Sequence, residues 1–177
     1  MGAWGIKSRE SDRGLDLLNE IIDTLFVPNG FQTFDVQQVI NLARKICKKE
    51  LGTTFAPGNR MNHLPALRYN WAVIFDNALL LIAECAVEFY QTGKLYVDQY
   101  DGETQEFIAK AIPEMRITRR SLERLLRALQ KVQDPRHPKF DSWLKDETRE
   151  RWLLYIRSLY AELEKHYAEP SERRWTQ

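Results

Sequence analysis

Few of the residues that announce a chemistry are present in this chain. Only two cysteines occur in 177 residues, Cys47 and Cys85. They lie far apart, each inside an apolar helical pattern, and read as two reduced core thiols, which favours a cytoplasmic location. The three histidines, His63, His137 and His166, sit on different segments. They show no His-x3-His or Cys-x2-Cys spacing, so no metal site is expected. Charge of one sign is missing as well: 26 basic against 25 acidic residues leave a net +1, which names no partner. G-x-S-x-G, Walker, dinucleotide and H-E-x-x-H motifs are all absent, so neither catalytic residues nor a cofactor are expected.

Addressing signals fail in the same way. No charged segment followed by an apolar stretch opens the chain, so no secretory signal is expected. Ile6 stands where myristoylation requires Ser or Thr. The longest apolar run, Asn70 to Tyr90, carries Asp76, Glu84 and Glu88. Each charge costs about 2.5–3.5 kcal/mol at the centre of a bilayer, so this run is expected to be a central core helix, with no membrane partner.

What the chain does contain is apolar residues at helical spacing, in a composition 44% hydrophobic and 29% charged that suits a globular protein. The expected fold is all-α: a single domain over 1–177 with an N-terminal clasp at 1–11 and a tail from about 169. About six helices surround a long, mostly buried central helix over about 66–92. Helix one is expected to be capped by Asp12 and stopped by Pro28 and Gly30, and the second to start near Asp35 and end before Gly52. The stretch 95–100 is expected to be loop, because a lone strand has nothing to pair with, and 103–112 a short helix ended by Pro113. Thr118 is expected to cap the fifth helix, and the last should run from near Ser142 to Tyr167.

On the central helix, Asn70, Asn77, Glu84, Glu88 and Gln91 project as one polar stripe. Asp76 instead falls among apolar positions, where an ionised carboxylate needs a partner; a structural ion pair or a bond to backbone amides is favoured there over a catalytic role. The clearest surface signal is RITRRSLERLLRALQK, in which Arg116, Arg120, Arg124, Arg127 and Lys131 project on one side and Leu122, Leu125, Leu126 and Leu129 on the other. Such a row suits a protein partner or, as the runner-up, the phosphates of nucleic acid. A third reading places an enzyme site between Asp76 and the loop residues Arg60, Asn62 and His63.

The opening MGAWG places a tryptophan between pliable glycines. Gly2 and Gly5 permit close approach, Trp4 supplies buried area, and Asp12 and Asp16 are expected to tie this clasp to helix one. Met1, Gly2, Trp4 and Gly5, followed by Asp12, three residues and Asp16, resemble the opening of an uncharacterised family of small bacterial proteins known only as a domain of unknown function. The resemblance spans about the first 18 residues. It implies a bacterial cytoplasmic protein, brings no catalytic residues with it, and suggests binding of another protein, as an immunity protein would.

Overall fold

The computed structural model describes residues 7–54, 64–101, 104–137, 146–167 and 174–175. Five helices dominate these residues: α1 (Asp12–Ile21), α2 (Val36–Thr54), α3 (Leu64–Thr92), α4 (Arg119–Lys131) and α5 (Asp146–Tyr167). A short 3-10 turn, Ser8–Glu10, precedes α1, and α1 runs on through a π-helical turn, Ile22–Phe26, to a last turn at Val27–Asn29. That last turn stops at Gly30, whose φ of 69° is a left-handed conformation that favours glycine.

The apolar spacing explains the packing. Phe26, Val36, Ile40, Leu80, Ile82, Leu125, Leu129 and Ile156 belong to one buried cluster drawn from all five helical segments. The central helix α3 is buried nearly all round from Ala78 to Val87 and ends at Gly93, with φ 74°. Among the described residues, no helix is long and apolar enough to cross a membrane.

The all-α expectation needs correction, because the protein is mainly helical but carries strands. Strand β2 (Leu95–Asp101), expected as loop, pairs antiparallel with β3 (Glu106–Ile112), expected as the fourth of six helices. Alanines and period-like apolar residues gave 106–112 a helical look, yet each strand supplies the partner the other needs. Asp101-Gly102 was the overlooked hairpin signal, and Gln105 at the turn adopts φ 57°. A second small sheet aligns β1 (Thr33–Asp35) parallel to β4 (Glu114–Arg116), and β4 antiparallel to β5 (Arg174–Trp175).

Boundaries also shift. Ser11, not Asp12, caps α1, its hydroxyl accepting from the Gly14 amide at 3.1 Å. α2 runs through Gly52 to Thr54. Asp35 accepts from the Gln38 amide at 3.0 Å at the start of α2, and Thr118 caps α4 by accepting from the Ser121 amide at 3.1 Å, both as the sequence suggested.

Candidate functional site

Helix α4 docks by Leu122, Leu125, Leu126 and Leu129, all buried, and this fixes which side faces outward. Arg120 and Arg127 are exposed and Arg124 is half-buried. Arg119 and Arg127 each lie 3.8 Å from Glu123, whereas Arg120 and Arg124 have no acidic partner among the described residues. Instead, partial burial and then the neighbouring guanidiniums of Arg44, Arg120 and Arg127 lower the pKa of Arg124. Arg44 comes from α2, so two helices contribute to one positive surface.

Arg44 also sits over the ring of Phe75, 5.4 Å from its centroid, and Phe75 stacks on half-buried Trp71 at 5.0 Å. This adds an aromatic edge to the arginines. Sequence reasoning missed Arg44, Trp71 and Phe75; the i, i+4 spacing of the two aromatics on α3 was the available signal.

Two members of the expected row do not belong to this surface. Arg116 lies on β4 before the helix begins, 3.8 Å from Glu114, so a helical projection does not apply to it. Lys131, though exposed, is engaged elsewhere: its Nζ donates to Asp76 Oδ2 at 2.7 Å. His137 Nε2 lies 2.9 Å from the same oxygen, both residues being buried. Asp76 is therefore held in a structural node, and His137 is a partner that its sequence neighbours gave no reason to suspect. The loop carrying His137 is shaped by Asp134, whose carboxyl the Arg136 side chain and amide hold down at about 2.

Arg60, Asn62 and His63, the other half of the expected enzyme site, lie outside the described residues. So do Gly2, Trp4 and Gly5 of the clasp, together with the side chain of Asp12. Where the clasp meets the described chain, the Ser8 amide donates to Glu84 Oε1 at 2.6 Å and the Arg9 amide to Glu84 Oε2 at 3.3 Å. The Arg9 guanidinium pairs with Glu88. The polar stripe of α3 thus receives the Ser8 and Arg9 amides, while the glycine-rich entry amides expected to meet Asp16 lie outside the described residues. A Cβ on Gly14 would stand 1.8 Å from the Ser8 carbonyl oxygen, so only glycine lets this turn sit on α1.

Beside this turn, α1, α2 and α3 border an open cavity of about 320 Å³ lined by Leu17, Ile46, Cys47, Ile74 and Asp16 among others. The buried Asn77 Oδ1, also in its lining, has no hydrogen-bond partner among the described residues. No protein family, curated protein or solved structure matches this chain.

Proposed function

We propose that this protein works by binding an acidic surface of another protein, with Arg44, Arg120, Arg124 and Arg127 as the contact and Trp71 at its edge. The observation that carries this reading is the gathering of three guanidiniums around Arg124, with no acid among the described residues to offset Arg120 or Arg124. Like charges held together repel, and a negative partner relieves that repulsion. Arginine and tryptophan are also the side chains on which binding energy concentrates at protein interfaces. The net charge of +1 makes this a local feature rather than a property of the whole surface.

Fluorescence anisotropy with a labelled peptide rich in Asp and Glu and with a labelled single-stranded DNA tests the proposal across a salt series. The peptide is expected to bind, and reversal of Arg120, Arg124 and Arg127 to Glu to weaken it by about 100-fold or more. Equal binding by parent and triple variant overturns the assignment of this surface. Preference for the DNA, with a steep loss of affinity as salt rises, overturns it in favour of nucleic acid, for which the arginine and aromatic pairing is equally suited.

A further inference from the structure

The open cavity bordered by α1, α2 and α3 is lined by two unlike sets of side chains. One set is apolar: Leu17, Ile46, Cys47 and Ile74, the last two buried. The other carries charge of mostly one sign, with Asp16, Glu20 and Glu50 set against Lys49. Asp16 and Glu20 stand one turn apart on α1, both exposed, and neither has an ion-pair partner among the described residues. Like charges at this spacing repel, and a cation beside them relieves the repulsion.

The hydrogen-bonding groups of the lining narrow the ligand further. The Ser11 hydroxyl is already engaged, donating to the Ser8 carbonyl at 2.7 Å and accepting from the Gly14 amide at 3.1 Å. Asn77 Oδ1 is buried without a partner among the described residues, and an oxygen in that position calls for an N–H or O–H donor. Half a turn of the carboxamide exchanges its oxygen and nitrogen, so the side chain can present either to a ligand. At about 320 Å³ the cavity stands at the small end of organic-ligand sites. An ammonium group on a compact hydrocarbon body answers every one of these features: it brings N–H donors, positive charge and apolar area together. An anion of the same shape would meet like charge at Asp16 and Glu20.

We propose that this cavity binds a small organic amine in its protonated form. The hydrocarbon part lies against Leu17, Ile46 and Ile74, the positive charge is answered by Asp16 and Glu20, and an N–H is offered to Asn77. Ser8, held through its amide by Glu84, belongs to the same lining, so the site is formed before a ligand arrives. None of Arg44, Arg120, Arg124 and Arg127 lines the cavity, so this proposal and that of the arginine face stand or fall without each other.

Isothermal titration calorimetry of the full chain at neutral pH and low salt tests it, with three probes of one shape: protonated 2-phenylethylamine, neutral 2-phenylethanol and the 3-phenylpropionate anion. The amine is expected to bind with a Kd of about 1 mM or tighter, the alcohol about tenfold more weakly and the anion more weakly still. The double variant Asp16→Asn with Glu20→Gln, whose exposed side chains are not needed for folding, should weaken the amine about tenfold and leave the alcohol unchanged. In NMR spectra of the parent with bound amine, nuclear Overhauser contacts should join the ring of the probe to the methyl groups of Leu17, Ile46 and Ile74. The proposal is overturned if the amine does not bind, if the alcohol or the anion binds as tightly, if the double variant holds the amine as the parent does, or if the ring contacts fall on other methyl groups.

Discussion

Two buried carboxylates on α3, Asp76 at 6% and Glu84 at 3% exposure, are given hydrogen-bond partners of different kinds. Asp76 is met by side chains from two places, Lys131 at the end of α4 and His137 in the loop beyond it. Glu84 is met by the main chain of two adjacent residues, Ser8 and Arg9, in a single turn. The first arrangement is divisible, because one partner can be withdrawn while the other remains. In the second, the two amides arrive and leave together, and their arrival depends on the missing side chain at position 14. An isolated buried charge is costly, so the way its partners are distributed sets how abruptly it is lost.

The sharpest way to break this contrast is Gly14→Ala. In an ordinary helix interior the change favours folding by about 1 kcal/mol. Here the new methyl must displace the Ser8 carbonyl and with it both amides from Glu84, so a loss of about 3 kcal/mol or more in denaturant melts is expected. Stabilisation would show that the turn does not need this close approach. His137→Ala should rank next, at about 2 kcal/mol, because it leaves Asp76 buried with a single partner. Lys131→Met should cost about 1 kcal/mol or less, since half of this lysine is in water and His137 still meets the carboxylate.

Cys85 sharpens the comparison further, because it lies one position from Glu84 and senses Arg9. Burial, partly offset by Arg9, pushes its thiol up from an ordinary 9.0 to about 12. A pKa raised on folding favours the folded state in full below pH 9, and that contribution fades as the pH climbs towards 12. Cys85→Val should therefore flatten the alkaline fall in stability. In the parent, a thiol reagent at neutral pH should find Cys85 protected; Gly14→Ala should speed its labelling, and Lys131→Met should leave the rate unchanged.

Much of the helical framework was legible because periodicity is a local signal. The leucine face of α4, the cap at Thr118, the stop at Gly30 and the central helix all followed from spacing and a few special residues. The need of Asp76 for a partner was legible too, but the partner's identity was not, since His137 is 61 residues away in the chain. Strand β3 was hidden because a strand is defined by what lies beside it, and its alanines and Lys110 suit a helix equally well. For the arginine surface, one helix could be projected from sequence. Adding Arg44 and removing Lys131 required knowing which helices meet and where Asp76 lies.

The tie between Ser8 and Glu84 also orders events in time. A chain is synthesised from its first residues onward, so the turn at Ser8–Glu10 emerges long before the carboxylate that will hold it. Until α3 has been made, the amides of Ser8 and Arg9 have only water to bond, and Gly14 has nothing to make room for. The earliest part of the described chain to be born thus cannot take its place until the middle of the molecule has been made.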